Sequence, residues 1–408
     1  MRSRWLPLLV LVWLVLGAGA AIADRTYDLM YDVRLVPTER SARVVIRLGE
    51  GAELVKRLWL RTDPERHFNF QGDGEVVIEE DGVAWTPPET GGELRYTFLI
   101  DHLRDDRSYD SRCTKSWALF RGDDLIPPTR ARTITGARSK SRQRMRVPEG
   151  WTRAVPYPLL AGGVYGVSHP DRGFDRPTGW MVVGNLGAVR ETVEGVNVTI
   201  AGPIQHGMRR LDMLALMRWT LPNMQEALGE MPRRLLIVGA GDPMWRGGLS
   251  GPNSVYVHAR RPLIAEDGTS PLLHEVMHAM LGIRSGEGGD WIVEGLAEFY
   301  SIELLRRSGT LSAKRAKGIY KKLATRGRKV KSLESNRASG DLVARAVTVI
   351  RALDAEIREK SAGVLSMDDV ARVLRESREK VTTAGMLTAV NDATALTDLE
   401  TLASIAVK

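Results

Sequence analysis

Hydrophobic and polar positions alternate with a period of two along much of the chain's first 155 residues. Clear examples are Tyr27–Val36, Arg43–Leu48, Val55–Leu60 and Leu94–Ile100, with clusters of Gly, Asp and Pro between strands. Short strands separated by such turn signals are typical of an antiparallel β-sandwich. The pattern therefore predicts a β-sandwich-like N-terminal domain over residues 24–155.

From Pro203 onward the hydrophobic positions mostly recur every three to four residues, the period of an amphipathic helix. Two short runs, Arg234–Val238 and Ser254–Val257, stay strand-like. We expect a mixed domain over residues 156–309 and a helical region over residues 310–408, which makes the whole chain α+β. The predicted helices are Met208–Leu228, Pro271–Leu281, Trp291–Arg307, Ser312–Thr325, Asp341–Lys360 and Met367–Ser377.

The N-terminal segment has the layout of a secretory signal peptide. MRSRW supplies a short positive region, Leu6–Ala21 is a continuous apolar run, and Ala21-Ile22-Ala23 is a small-residue cleavage site. Because the apolar run is slightly short for a membrane span, we expect residues 1–23 to be removed; an uncleaved N-terminal membrane anchor is the alternative. The predicted location is secreted or periplasmic.

Composition narrows the chemistry that the chain can support. With 408 residues, 43% of them hydrophobic and 26% charged, the sequence is typical of a folded protein of two or three domains. Its single cysteine, Cys113, excludes an intramolecular disulfide and metal sites built from several thiolates. A metal ion bound here must be held by His, Asp or Glu.

The strongest chemical signal is His274-Glu275-Val276-Met277-His278. Residues four apart on a helix lie one above the other, so the two imidazoles face the same point and can share one Zn²⁺. The Glu between them can act as general base toward a water molecule at that ion. The alternative is an ordinary helix with two partly buried histidines.

The next predicted helix supplies carboxylates. Glu294 follows His278 by sixteen residues, and the linker 282–290 contains four glycines, which suits a tight return between packed helices. Glu294 can complete a His₂Glu site with an open position, as in a catalytic zinc site. Glu298, one turn further, can accept the free N–H of a ligating histidine; a solvent-facing carboxylate is the alternative.

These two helices resemble the gluzincin zinc metallopeptidases. His-Glu-x-x-His followed by Trp-x-x-Glu-Gly-x-x-Glu-x-Tyr, here residues 274–278 and 291–300, is similar to the glycyl aminopeptidase family and, more distantly, to the alanyl aminopeptidases. The resemblance covers most of the chain. It implies a thermolysin-like zinc metallopeptidase catalytic domain over residues 156–309, between the β-rich domain and the helical region; the PDZ domain usual in that family is not evident.

The resemblance also implies the roles of five residues. His274, His278 and Glu294 correspond to the ligands of one Zn²⁺ per chain. Glu275 corresponds to the general base, and Glu298 to the carboxylate that supports a histidine ligand.

Upstream of these helices the sequence departs from the family. Gly247-Gly248-Leu249-Ser250 matches a substrate-binding strand in which the family has a Glu, at the position of Ser250, for the substrate's free amine. Without that carboxylate, strict aminopeptidase specificity is in doubt. The substitute carboxylates that we consider are Glu266, Asp267 and Glu287.

A second departure concerns the group that stabilises the oxyanion. The family has a Tyr where this chain has Arg337. A guanidinium can stabilise a developing negative charge equally well in principle, and Tyr256 and Tyr320 are alternatives.

Two basic runs, Arg130–Arg146 and Lys314–Lys331, contain seven and nine cations without an acidic residue. Solvated polar surfaces are their simplest explanation. In an exported protein, electrostatic contact with an anionic membrane or cell-wall surface suits them better than nucleic acid, which we do not expect as a partner.

Together these features predict an exported zinc metallopeptidase that hydrolyses peptide bonds of a peptide or protein substrate. The alternative is a non-catalytic zinc- or peptide-binding envelope protein on the same scaffold. The intact Glu275 favours the enzyme, since a structural zinc needs no base.

Overall fold

The computed structural model describes residues 25–169, 173–334, 337–338, 340–396 and 398–401. The predicted signal peptide lies outside these ranges. The described chain is mixed α+β, with a sheet-rich N-terminal part and a helical C-terminal part, as the sequence predicted.

The N-terminal part consists of strands and one short helix, α1 (Gly122–Leu125). Its strands are β1 (Thr26–Val36), β2 (Ser41–Leu48), β3 (Val55–Leu60), β4 (His67–Gly72), β5 (Glu75–Glu79), β6 (Gly82–Thr86), β7 (Gly92–Leu99), β8 (His102–Asp105), β9 (Ser108–Cys113), β10 (Trp117–Arg121), β11 (Thr129–Thr133), β12 (Arg138–Arg146), β13 (Thr152–Ala154), β14 (Tyr165–Val167) and β15 (Trp180–Gly184).

The described strands of this part form three sheets, in the orders β14-β12-β1-β2-β7-β4, β13-β15-β10-β9-β8 and β11-β3-β6-β5. Most neighbours are antiparallel, but the expectation of a wholly antiparallel arrangement is wrong at β1 and β12. These two strands pair in parallel, from Thr26 opposite Arg138 to Arg34 opposite Arg146. A parallel pair needs a long connection, which the intervening strands supply.

Two of these sheets include strands that follow residue 155. β14 pairs with β12, and β15 pairs with β10 and β13. The boundary predicted between residues 155 and 156 cuts through this pairing. We therefore propose a division after Gly184, which keeps these strands with their neighbours.

The remainder of the described chain forms a second sheet region surrounded by helices. The sheet order is β16-β17-β18-β20-β19, so β19 is an edge strand, and β21 and β22 form a separate short pair. The elements are β16 (Leu186–Val193), β17 (Val196–Pro203), α2 (Arg210–Leu228), β18 (Arg234–Val238), β19 (Gly248–Gly251), β20 (Ser254–Val257), α3 (Pro271–Leu281), β21 (Arg284–Ser285), α4 (Asp290–Arg307), α5 (Ala313–Gly327), α6 (Asp341–Lys360), α7 (Met367–Ser377), β22 (Lys380–Val381) and α8 (Thr383–Thr394).

Helix bounds follow the sequence signals closely. The limits of α3, α6 and α7 are those predicted. Helix α7 begins with a capping box: the Ser366 hydroxyl accepts from a backbone N–H of the first helical turn, and the Asp369 carboxylate accepts from the backbone N–H of Ser366. Beyond α7, within the region predicted to be helical, Thr383–Thr394 forms α8. Its start is defined by Thr382, whose side chain accepts from the backbone N–H of Gly385.

A shared apolar cluster joins the two parts. Trp117 and Trp180 from the N-terminal sheets pack with Leu236, Val238 and Tyr256 of the central sheet. The opposite face of that sheet, including Val255 and Val257, packs against the helices. The central sheet is therefore covered on both faces, and β19 lies at its margin between the N-terminal part and the helices.

None of the helices in the described ranges combines the length and apolar character needed to cross a bilayer. Much of the basic run Lys314–Lys331 lies on α5, where Lys314, Lys317 and Lys321 are exposed. The contact with an anionic surface stays a prediction.

Candidate metal centre

Helix α3 carries the two candidate histidine ligands. It begins after Ser270, whose hydroxyl accepts from the backbone N–H of Leu273, and Pro271 occupies the first turn, where a missing N–H costs nothing. Gly282 ends the helix in the left-handed conformation, with φ of 63°. These start and stop signals place both histidines within one continuous helix.

Helix α4 returns past α3 and carries the carboxylates. A Cβ on Gly289, the residue before α4, would lie 2.0 Å from the Val381 carbonyl oxygen, so only glycine fits. The same carbonyl accepts from the backbone N–H of Gly286 at 2.7 Å. The glycines between α3 and α4 thus allow a tight return against β22.

The two helices bring three potential ligands together. Nε2 of His274 lies 3.1 Å from Nε2 of His278, and the Glu294 carboxylate oxygens lie 3.3 Å and 3.4 Å from these two nitrogens. One ligand atom from each residue lies within 4.8 Å of the other two. Elsewhere in the described chain, no other group of three or more His, Cys, Asp or Glu side chains comes this close.

Glu298 contacts the other nitrogen of His274. Its Oε2 lies 2.9 Å from Nδ1, and its side chain is 15% exposed. A carboxylate at Nδ1 keeps the proton on that nitrogen, which leaves Nε2 as the atom free to bind a metal. Glu298 is therefore not a solvent-facing helix carboxylate.

The charges of the cluster favour a bound cation. Burial by itself would lower the pKa of His274, but hydrogen bonds to Glu294 and Glu298 raise it to about 10. Burial would raise the pKa of Glu294, but hydrogen bonds from His274 and His278 hold it well below its usual range. A proton on the imidazole thus balances the carboxylates, and a metal ion at the same point would replace that proton.

The donor set fits zinc. Two imidazole nitrogens and one carboxylate oxygen are ligands that Zn²⁺ binds readily, and three protein ligands leave a position open. The side chains of His274, His278 and Glu294 are 18%, 12% and 31% exposed, so the cluster is reachable from solvent but largely enclosed.

Glu275 lies beside the edge strand β19. A Cβ on Gly248 would come within 2.7 Å of Glu275 Cγ, so the glycine lets the strand approach the carboxylate. Burial raises the pKa of Glu275, against the lowering effect of His274, His278 and a hydrogen bond from the Ser250 backbone N–H. Glu275 is therefore a carboxyl group with an increased proton affinity, and it lies next to the histidine cluster.

The segment predicted to bind substrate is thus adjacent to the histidine cluster. Gly248 and Ser250 lie on β19, which pairs with β20 through Val257 and Val255. Gly247 continues this ladder, since its carbonyl accepts from the backbone N–H of His258 at 3.0 Å. Ser250 contacts Glu275 only through its backbone N–H. β19 carries no acidic side chain that could take the place of the family's glutamate.

Both tyrosines considered for the oxyanion are engaged elsewhere. The Tyr256 hydroxyl donates to the Trp245 carbonyl at 2.7 Å in a fully buried position. The Tyr320 hydroxyl donates to Glu303 Oε1 at 2.7 Å, and Glu303 lies nine residues along α4 from Glu294. Neither hydroxyl is available in this arrangement, so the structure does not support either alternative.

Arg337 lies in an exposed segment near the start of α4. The backbone N–H of the next residue, Ala338, donates to Asp290 Oδ2 at 3.2 Å. Asp290 is one turn before Glu294, so this segment passes close to the helix that carries the third candidate ligand. A role of Arg337 in stabilising an oxyanion stays a prediction.

The three substitute carboxylates are all exposed. Glu266 and Asp267 line a cavity with Lys314 and Arg315 of α5, so their charges face the basic helix. Glu287 lies in the return between α3 and α4. Within the described chain, none of them forms a hydrogen bond or ion pair with β19 or Glu275.

The hairpin formed by β8 and β9 is a neighbour of the site that no pattern in the sequence indicates. Tyr109 of this hairpin donates its backbone N–H to the Pro243 carbonyl at 3.0 Å and accepts from the Trp245 backbone N–H at 2.8 Å. Arg104 places its guanidinium carbon 3.7 Å from the centre of the Trp245 ring. Residues so distant in sequence share no local pattern, so only the tertiary structure brings them together.

Comparisons with known proteins identify the fold. No protein-family model matches the sequence, and no curated protein matches it either. The structure is similar to that of an aminopeptidase N family protein from Idiomarina loihiensis, with a TM-score of 0.65 and 13% identity over 86% of this chain and 70% of that chain. It is also similar to a mutant M1 zinc metallopeptidase from Deinococcus radiodurans, with a TM-score of 0.60 and 16% identity over 94% and 93%. At these identities the likeness concerns the fold alone, and the chain shares the fold of these two structures.

Proposed function

We propose that the protein is an exported zinc-dependent metallopeptidase that hydrolyses peptide bonds. The observation that carries this proposal is the cluster of His274, His278 and Glu294, whose ligand atoms lie within 4.8 Å of one another. Glu275 lies on the same helix, beside an edge strand to which a peptide can bind. The fold of M1 zinc metallopeptidases, found without sequence similarity, supports the same conclusion.

The cluster would hold one Zn²⁺ per chain through His274, His278 and Glu294. When bound, zinc would polarise the scissile carbonyl and make a water molecule more acidic. Glu298 would keep the His274 ring oriented through the 2.9 Å contact at Nδ1.

Glu275 would move the proton. Burial raises its pKa, which makes its carboxylate a stronger base than an exposed glutamate. It would accept a proton from the attacking water and return it to the nitrogen of the leaving amine. The backbone N–H of Ser250 would hold the carboxylate in place during both transfers.

We propose Arg337 as the residue that stabilises the oxyanion, because it stands where the glycyl aminopeptidase family has its tyrosine. A guanidinium can stabilise the negative charge that develops on the carbonyl oxygen of the substrate. The position of Ala338 beside Asp290 brings this segment to the helix of Glu294, which supports the assignment.

The substrate would be a peptide or protein lying along β19. Since β19 carries Ser250 where the glycyl aminopeptidase family has a carboxylate, a free amine gains no charged partner on that strand. We therefore propose that the enzyme acts within peptides as well as near their ends. The secretory layout of residues 1–23 supports activity outside the cytoplasm.

The test is hydrolysis of a peptide library by the purified protein, detected by mass spectrometry. The zinc-loaded protein should cleave peptides, a chelator should stop the cleavage, and added Zn²⁺ should restore it. A zinc-loaded protein that cleaves no peptide would favour the non-catalytic zinc- or peptide-binding alternative.

A further inference from the structure

We infer that Arg104, held over Trp245, recognises a carboxylate side chain of the peptide substrate. This inference rests on the proposed function and adds a substrate class to it. It concerns the face of β19 that is turned away from Glu275.

Near β19, the two faces of the central sheet pack against different parts of the molecule. On β20, Val255 and Val257 pack with the helices, whereas Tyr256 packs with the N-terminal part. Leu249 of β19 lies opposite Tyr256 and packs in the same cluster, while Gly248 faces Glu275. Successive residues of β19 thus point alternately toward the helices and toward the N-terminal part.

The hairpin β8–β9 covers the second of these faces. Two backbone hydrogen bonds join Tyr109 to Pro243 and Trp245, which fixes the hairpin against the loop before β19. The Trp245 ring occupies the place where a Cβ on Gly247 would be, with ring atoms 1.9 Å to 2.4 Å from that position. Trp245 therefore lies directly on the backbone at the start of β19.

Arg104 completes this surface. Its guanidinium carbon is 3.7 Å from the centre of the Trp245 ring, a cation–π distance that holds the cation over the indole. Arg104 is exposed, and within the described ranges it forms no ion pair. The charge is therefore positioned but not neutralised.

None of the carboxylates around Trp245 forms an ion pair with Arg104 in the described chain; Asp105 accepts hydrogen bonds from Ser108, and Asp106 lines the same cavity as Trp245. Asp242 accepts hydrogen bonds from Arg246 and Arg260, and these partners lower its pKa to about 2. Asp110 contacts Nδ1 of His102 at 2.7 Å. Arg104 is thus available to a carboxylate that a ligand supplies.

A peptide bound along the free edge of β19 would extend the sheet, so its side chains would also alternate between the two faces. One set would face Glu275 and the histidine cluster. The other set would face Leu249, Trp245 and Arg104, where a Glu or Asp side chain gains a cation. The inference therefore requires a preference for acidic residues at alternate positions of the substrate.

The experiment uses matched peptides in which a single Glu or Gln is moved through successive positions around the cleaved bond. For the zinc-loaded wild type we expect kcat/KM to be about threefold to tenfold higher with Glu at alternate positions. Arg104→Gln should remove this preference, and Arg104→Glu should reverse it. Arg107→Gln, an exposed cation on the same hairpin turn, is the matched control and should keep the wild-type preference.

A binding measurement separates this inference from the proposed function. Zinc-loaded Glu275→Gln protein should bind the same Glu peptides about threefold to tenfold more tightly than the Gln peptides in calorimetry, and the Glu275→Gln, Arg104→Gln double variant should not. If the wild type cleaves no peptide, the proposed function fails, and the binding result still decides the role of Arg104. Equal preference for Glu and Gln, or a preference for Glu that survives Arg104→Gln, would overturn the inference.

Discussion

The candidate metal centre and the proposed substrate-binding surface around it are built in different ways. The centre comes from two consecutive helices, and its members lie within 25 residues of one another, from His274 to Glu298. The surface comes from β19, the hairpin β8–β9 and the segment at Arg337, which lie far apart in sequence. The first depends on helix periodicity and the second on how the N-terminal part docks.

This difference explains why the chemistry is easier to recognise than the specificity. A helix repeats every 3.6 residues, so two histidines four apart must share a face wherever that helix lies. No comparable rule relates Arg104 to Trp245, because their contact depends on the docking of Tyr109 against Pro243 and Trp245.

The largest effect should come from the metal centre itself. His278→Ala removes one of three candidate ligands, and the two that remain make a poor zinc site. We expect wild-type protein to contain about one zinc per chain by elemental analysis and His278→Ala to contain almost none. His102→Ala, which removes a histidine outside the cluster, should keep the full content; equal zinc in wild type and His278→Ala would refute the ligand assignment.

The next effect concerns the base. Glu275→Gln is nearly isosteric, but its amide cannot accept a proton from water. We expect full zinc content and a loss of about 10²- to 10⁴-fold in kcat, as is typical when a general base is removed. Undiminished hydrolysis by the zinc-loaded variant would show that Glu275 has another role.

A smaller loss should follow when the strand is moved away from the base. In Gly248→Ala the new Cβ would come within 2.7 Å of Glu275 Cγ, so either the strand or the carboxylate must shift. Misplacement of this kind costs about 10- to 100-fold in kcat/KM, while zinc content should not change. Gly318→Ala on α5, where a Cβ meets no atom within 4 Å, is the matched control. Equal kcat/KM for Gly248→Ala and wild type would mean that β19 does not set the position of Glu275.

The smallest effect tests the missing amine partner. A free N-terminal amine has no carboxylate on β19, so acetylation of a peptide's N-terminus should change kcat/KM of the wild type by less than about threefold. Ser250→Glu should gain a preference for the free amine of about ten- to a hundredfold, the value of a hydrogen bond between charged groups. A strong preference for the free amine in the wild type would mean that another carboxylate, such as Glu287, binds the substrate's free amine.

The sequence predicted the helices around the centre almost to the residue. Ser270, Pro271 and Gly282 mark the ends of α3, and the glycines after it allow the return to α4. These are local signals, and local signals can be identified without tertiary information. The contact of Glu298 with His274 follows from the same two helices.

Predictions that depended on tertiary placement fared less well. Tyr256 and Tyr320 had suitable chemistry, but their hydroxyls donate to the Trp245 carbonyl and to Glu303. Likewise, nothing in the alternating pattern of β1 indicates a parallel partner more than a hundred residues later. Hydrogen-bond partners and strand neighbours at such separations are decided by packing of the whole molecule.

The most direct test of the central claim is the anomalous scattering of a crystal of the zinc-soaked protein, measured on both sides of the zinc absorption edge. We expect one strong peak per chain, bounded by His274, His278 and Glu294, with zinc–nitrogen distances of about 2.0–2.1 Å. A crystal without a peak between these three side chains, or with its principal peak at another site, would contradict the assignment of this cluster as the catalytic metal centre.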